Sequence, residues 1–492
     1  MKRFTSFVFT VFASRRFLYA VFGFFVFESV WIALSARYPM AFDEDFHLGI
    51  IKIYSHHWLP FLHDQPANSG ALGAVARDPS YLYHYLMSFP YRLIAACTQS
   101  QAAQIIVLRL LNVALFGLGL GLFYRVLRQV GTSRALANVT LALFVLIPIV
   151  PLLAGQINYD NLLLPLTAWT CLLTIRAYRQ LAERRVPLKT LSLLIIVGLL
   201  SSIVKYAFLP IWVASLLFIA WHAWRTFRGR RRELRRELAR DHDALSNKAK
   251  LGLLLALLVA SFLFMQRYVM NVVSYHAPIP DCAAVIGEDE CMNYGPWARD
   301  YEYAQAKGNA HVNPFIYPWW WLCGMMYRLF FMINGPASDY NNYPPLPLPT
   351  VGFVVVAVAS VLALAVTWRR LFRHNGILVF FVLLGLLYVG LLAFDEFREY
   401  LKTGQPVAIN GRYLLPVLLP LAAVGGQALS RVLRKRHRVK VYAALVVLLL
   451  FVQGGGVMSF IVRSDTTWYW QSPTVIRLNR AAHAVVNPLI YQ

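Results

Sequence analysis

Charge is what this chain has least of. Only 14% of its 492 residues are charged, against about 25% in a soluble globular domain, while 58% are hydrophobic. A water-soluble fold cannot bury that much apolar surface behind so few charges, so soluble classes are excluded. Acids are scarcer still, with 23 Asp and Glu against 47 Lys and Arg. Cysteines number five, and no spacing among them resembles a zinc site. There is no glycine-rich phosphate loop and no internal repeat, which removes P-loop and solenoid architectures.

What is present is a series of apolar runs of bilayer length. They fall at about 17–36, 104–124, 135–153, 159–177, 190–204, 207–223, 251–272, 350–367, 376–394, 412–430 and 441–462. The excess positive charge lies between them. Stretches 1–16, 125–134, 176–189, 224–250, 368–375 and 431–440 hold 31 of the 47 Lys and Arg but only five acids, Glu183, Glu233, Glu237, Asp241 and Asp243. The positive-inside rule makes those the cytoplasmic loops, and the net charge of +24 then asks for no nucleic acid. The expected fold is an all-α polytopic membrane protein of about 11 transmembrane helices, N-terminus cytoplasmic and C-terminus outside. The membrane domain spans 1–463 and a short outer tail spans 464–492. The basic start followed by an apolar run resembles a signal peptide, but no small-residue cleavage pattern follows, so it reads as a retained first helix. Runs 190–204 and 207–223 form a hairpin broken at Lys205. Pro318–Asn334, led by Trp319, Trp320 and Trp321, reads as a helix lying in the interface.

Two outer loops are long, 37–103 and 273–349, and they hold the unusual residues. Phe42-Asp43-Glu44-Asp45-Phe46-His47 sets three carboxylates about six residues beyond the first run. Like charges so close repel beside a low dielectric, so one is expected to have a raised pKa or to need a cationic partner. The alternative is a solvated acidic turn. Beyond it, Ile50, Ile51, Ile53, Tyr54, Trp58 and Leu59 alternate with His47, Lys52, His56 and His57, as in a helix lying along the interface. A second such helix follows, with Asp78 and Pro79 as its start and Tyr81, Leu82, Tyr83, His84 and Tyr85 within it. Cys282 and Cys291, nine residues apart in one outer loop, are a candidate disulfide; two free thiols would look the same. His47, His56, His57 and His63 beside acids admit a metal site, but adjacent His56 and His57 cannot face one way on a helix, and no metal is favoured.

These features together resemble the GT-C glycosyltransferases, membrane enzymes that use polyprenyl-phosphate-linked sugars. The acidic run with an aromatic before it and a His after it is similar to the Asp-Glu motif of bacterial protein O-mannosyltransferase-like and aminoarabinose transferase-like members. Asn158-Tyr159-Asp160 is similar to their Asn-x-Asp turn. Arg109, Lys205 and Asn410-Gly411-Arg412-Tyr413 also match. Asp78-Pro79-Ser80 stands where many relatives have His-Pro-Pro, and the large soluble C-terminal domain of members acting on peptides or long polymers has no counterpart.

The resemblance implies sugar transfer from a polyprenyl-phosphate donor to a hydroxyl of a glycan, lipid or protein, on the periplasmic face of a bacterial inner membrane, without a cofactor. Asp43 is then the general base, with Glu44 and Asp45 after it. Arg412, Arg109 and Lys205 hold the phosphate, because an ionisable group on an apolar span is costly and generally has a purpose. His47, Tyr83, His84, Asn158, Asp160 and Tyr413 complete the substrate-binding set. Snorkelling cations and aromatic interface anchors are the bland alternatives. A flippase would put charges in the middle of paired broken spans, whereas Glu28 and Arg267, the exceptions besides Lys205, are expected to reach the interface. A non-catalytic envelope scaffold would not need the acidic cluster.

Overall fold

The computed structural model describes residues 2–41, 43–330, 347–452 and 457–490; Phe42 and the 331–334 end of the expected interfacial segment lie outside them. Among the described residues the chain is helical, and no strand ladder forms. The helices are α1 Lys2–Ala13, α2 Arg15–Ser35, α3 Glu44–Ser55, α4 Leu82–Cys97, α5 Gln101–Gln129, α6 Arg134–Val145, α7 Ile149–Ala154 and α8 Asp160–Ala182. Next come α9 Leu188–Val204, α10 Leu209–Phe227, α11 Arg231–Ala244, α12 Asn247–Tyr275, α13 Cys282–Ile286, α14 Glu288–Cys291 and α15 Gly295–Lys307. The last are α16 Tyr317–Phe330, α17 Pro347–His374, α18 Ile377–Thr403, α19 Leu415–Val432, α20 His437–Val452, α21 Val457–Arg463 and α22 Pro473–Ile490.

Seven helical segments among the described residues are long and apolar enough to cross a bilayer: α2, α5, 206–227, α12, α17, α18 and 411–432. The chain is therefore an all-α polytopic membrane protein. The other four expected runs also fall on helices, with identifiable reasons for being short or less apolar. Run 135–153 breaks at Pro148 between α6 and α7. Asp160, Arg176 and Arg179 dilute α8. Helix α9 has 17 residues, and the described parts of run 441–462 belong to α20 and α21. Serines begin several of these helices in the expected way: Ser14, Ser100, Ser133 and Ser246 each accept a first-turn backbone N–H.

The main core is built by α2, α5, α6, α8, α10, α18 and α19. In α12, Phe262 and Val273 are exposed, while Arg267, Tyr268 and Asn271 are buried against the first loop. That pattern suits a helix with one side toward lipid. The expected interfacial helices of the first loop are α3 and α4, and they pack on each other over a separate core of Leu48, Ile51, Tyr54, Tyr81, Tyr83 and Ile157.

Three features depart from the sequence reading. The 1–16 stretch holds a helix, α1, whose Val8 and Phe12 pack on α6 and α20. The tail is docked as well: Arg37 N–H donates to Trp468 O, Trp470 N–H donates to Ser35 O, and the Trp31 indole donates to Asn479 in α22 at 3.0 Å. Glu28 and Arg267 are both fully buried inside the protein instead of standing exposed near a helix end. Arg267 donates to Ala76 O and to the Tyr54 hydroxyl and lies 4.7 Å over the Tyr81 ring, which ties α12 to the first loop.

Candidate active site

The three acids after α2 have three different environments. Glu44 opens α3 with its side chain turned inward and 0% exposed. Its oxygens accept both Nε and Nη2 of Arg109, at 2.8 and 2.7 Å, together with the backbone N–H groups of Met40 and Ile157. Arg109, also 0% exposed, gives its Nη1 to Ala33 and Ala36 carbonyls at the end of α2. This bidentate pair is saturated and joins α2, α3, α5 and the α7–α8 turn. Glu44 and Arg109 were both expected in the chemistry; each is instead spent on the other and closed to solvent. Asp45 is exposed on the outer side of α3.

Asp43 behaves differently. It precedes α3 in a left-handed conformation, φ 67°, and its side chain does not cap the helix. Asp is one of the few residues that tolerate that backbone, at a cost of about 1–2 kcal/mol. Its carboxylate reaches Arg412 instead, Oδ2 to Nη2 2.9 Å, with the Asp43 side chain 53% exposed and that of Arg412 4%. Behind Arg412 stand Asp160, whose Oδ2 is 4.0 Å from Arg412 Nε, and Lys205, whose Nζ is 2.6 Å from Asp160 Oδ1. Lys205 also lies over the Tyr159 and Tyr413 rings at 4.4 and 4.8 Å. Charges alternate along this row from an open mouth at Asp43 to a closed end at Lys205.

Two turns of the same design aim the row. Asn158 Oδ1 accepts the N–H of Asp160 at 2.9 Å, and Asn410 Oδ1 accepts the N–H of Arg412 at 3.1 Å. Each is an Asn whose side chain fixes the backbone two residues on. Glycine permits both close approaches. A Cβ at Gly155 would lie 2.9 Å from Ser29 O, and one at Gly411 would lie 2.6 Å from Met325 O and 2.8 Å from Leu329 N. Lys205 gains its place because α9 stops at Val204. Its own backbone is extended, φ −155° and ψ 126°, before a turn at Tyr206–Phe208 and Pro210 in the first turn of α10.

His47, Tyr83 and His84 line up behind this row rather than in it. All three are buried. His47 Nδ1 is 2.9 Å from His84 Nε2, its ring lies 4.6 Å from Tyr159, and the Tyr83 hydroxyl donates to Asn112 at 2.8 Å. They support Tyr159 and leave no face for a sugar. Burial, with His84 and the nearby cations, holds His47 well below the ordinary imidazole range, and burial lowers His84 to about 3. Both are neutral at pH 7. Tyr81 is buried, and Tyr85 donates to Trp58 O, so neither offers a free sugar platform. Asp78 does not cap α4, which begins at Leu82; its carboxylate accepts Ser80 N–H at 2.8 Å. His56, His57 and His63 are exposed, and among the described residues no three His, Cys, Asp or Glu side chains converge on a metal position.

No family model and no curated protein matches this chain.

The geometry also brings in residues that the sequence reading passed over. Tyr206 is 40% exposed, yet it lies within electrostatic reach of Tyr413, Asp395, Asp78 and Glu396, which come from three other segments. Tyr294, from the second outer loop, feels Asp43 and Tyr413 and packs 5.9 Å from Phe46. The Cys282 and Cys291 sulfurs are bonded, Cα to Cα 6.0 Å, in the α13–α14 segment just before Tyr294. Glu290 of that segment presses on Gly70. Only Tyr206, adjacent to the break at Lys205, had a local signal. The others arrive from distant segments.

The arrangement can accept an anion at Arg412, with Lys205 behind it already paired to buried Asp160, and it holds one solvent-accessible carboxylate, Asp43, against the outer cation.

Proposed function

We propose that the chain is a membrane glycosyltransferase that moves a sugar from a polyprenyl-phosphate donor to an acceptor hydroxyl on a glycan, lipid or protein. The observation that carries this reading is the half-exposed Asp43 carboxylate 2.9 Å from the buried guanidinium of Arg412. A donor phosphodiester entering from the mouth competes for Arg412 and thereby releases Asp43. The acceptor oxygen then attacks the anomeric carbon as its proton passes to Asp43. The bond from that carbon to the phosphate oxygen breaks, and the polyprenyl phosphate leaves with the electron pair against Arg412, while Lys205 behind it offsets the charge of Asp160. One carboxylate suffices because a direct displacement inverts the anomeric centre without a protein nucleophile. In this reading Arg412 supplies the positive charge that the departing phosphate needs.

Eleven crossings with the acidic mouth outside a bacterial inner membrane belong to the same proposal. They are supported by the sorting of basic residues and, among the described residues, by the helical state of all eleven runs. The test is to incubate purified protein with labelled polyprenyl-phosphate sugars and follow release of polyprenyl phosphate. Consumption by the native protein and loss of it in Asp43→Asn are expected. If no sugar lipid is consumed and the protein instead moves labelled lipid between the leaflets of vesicles, the transferase reading is overturned in favour of a flippase.

A further inference from the structure

The opposite ends of α8 and α10 carry a second charged region, independent of the transferase reading. Helix α10 follows Tyr206, next to the row, and runs to Phe227, and α8 runs from Asp160 to Ala182. At about 1.5 Å per residue, each places its C-terminal end about one bilayer thickness from the site. There a cleft of about 450 Å³ is lined by Tyr178, Ala182, Arg184, His222, Arg225, Thr226, Arg228 and Arg230. Four guanidinium groups rim it and no acid lines it. Arg230 pairs with Glu233 at 3.5 Å, whereas Arg184, Arg225 and Arg228 form no ion pair among the described residues.

Helix C-termini attract cations, which accounts for basic residues here in general but not for Arg184 in particular. Arg185 N–H returns to Gln180 O and Arg184 N–H to Leu181 O, the double bond of a helix ending whose left-handed position is ordinarily glycine. Arg184 occupies that position with φ 59°. A long side chain is thus kept where the backbone disfavours it, and that side chain faces the cleft. The cleft also sits at membrane-interface depth. Trp221 and Trp224 are 57% and 53% exposed on the same end of α10, their rings 5.4 Å apart, and Arg228 lies 5.1 Å over Trp224. Exposed paired Trp at a helix end marks the headgroup level.

We infer that this cleft binds the phosphate of an acidic phospholipid headgroup, with Arg184, Arg225 and Arg228 as its ligands. Basic pockets between membrane helices favour such headgroups; the walls of half-buried Tyr178 and His222, rings 4.5 Å apart, leave the polar end of a lipid beside the Trp belt.

The test titrates detergent-solubilised protein with phosphatidylglycerol or phosphatidylcholine and counts bound lipid by native mass spectrometry. Phosphatidylglycerol should be retained selectively. The triple variant Arg184→Gln, Arg225→Gln, Arg228→Gln should weaken it about 100-fold. An equal loss of charge on α11, Arg232→Gln, Arg235→Gln, Arg236→Gln, should change it less than about threefold. Equal weakening by both triples overturns the site in favour of diffuse loop charge. Displacement of the lipid by millimolar inorganic phosphate overturns a lipid source in favour of a soluble phosphate. Should the Gln triple fail to insert, the charge-preserving Lys triple decides. A loss of about tenfold is expected, because an ammonium lacks the guanidinium fork, and native affinity would overturn the proposal.

Discussion

Two carboxylates one residue apart, Asp43 and Glu44, each face an arginine, and the two pairs do opposite things. Glu44 and Arg109 are sealed from water, and their hydrogen bonds go to each other and to four backbone groups. Asp43 and Arg412 share a contact at 2.9 Å, with the Asp43 side chain 53% exposed. The first pair holds α2, α3, α5 and the α7–α8 turn in place. The second is open to exchange, because an arriving anion can replace a solvated carboxylate where it cannot replace a buried, fully bonded one. Burial and hydrogen bonding, rather than residue type, separate the closed pair from the open one here.

The sharpest way to break the comparison is Glu44→Gln. It leaves Arg109 charged and buried without its partner, which elsewhere costs about 3–5 kcal/mol. The expected outcome is a large fall in thermal midpoint or loss of monodisperse protein, read by size exclusion and a melting assay. A variant that melts like the native protein would show that the latch is dispensable. Asp43→Asn comes next: turnover should fall about 100-fold while the melting point stays within a few degrees, which separates the two neighbours by opposite signatures.

Acid should attack the layer behind the row. His47 and His84 take up protons far less readily folded than unfolded, so below about pH 6.5 the unfolded chain binds protons that the native chain refuses. Stability should therefore decline as pH falls through that value, by about 1.4 kcal/mol per pH unit for each His until the folded-state pKa is reached, about 3 for His84. That is about 2 kcal/mol at pH 5 for His84, and His47 acts in the same direction. Melting midpoints of the native protein and of His84→Asn between pH 7 and 5 would check it, the variant being expected to lose part of the slope. Arg412→Ala should weaken donor binding about tenfold, measured by lipid co-purification or inhibition, with a smaller loss of fold than Glu44→Gln because Asp43 can turn to solvent. Asp45→Asn should alter neither stability nor turnover beyond about twofold, since that side chain faces solvent on the outer side of α3.

Much of the architecture was legible because it depends on local composition. A run of apolar residues between basic loops reads as a helix whatever it packs against, and among the described residues all eleven runs fall on helices. The break at Lys205 and the two paired helices of the first loop were legible for the same reason. Helix α1 and the docked tail were not: their apolar residues are too few for a span, and their partners, α6 and α20 for α1 and the end of α2 for the tail, are remote in sequence. Within the site, Asp43, Asp160, Lys205 and Arg412 could be named one at a time, because an ionisable group near an apolar run is conspicuous. Arg109 and Glu44 were just as conspicuous, but their pairing was not legible, because nothing local says that two such groups will meet and neutralise each other. Tyr206, Tyr294 and Asp395 drew no attention, since a tyrosine or an acid at a helix end is ordinary until another segment faces it.

By itself, then, the sequence determined that this is a helical membrane protein and which end of its helices carries both signs of charge. Hydropathy and charge are additive along the chain, so they can be read from it. Only the tertiary structure decided which charges pair. The energy of a buried charge depends on its partner's distance and on access to water, and both are set here by contacts across 65 positions for Glu44 with Arg109 and 369 for Asp43 with Arg412.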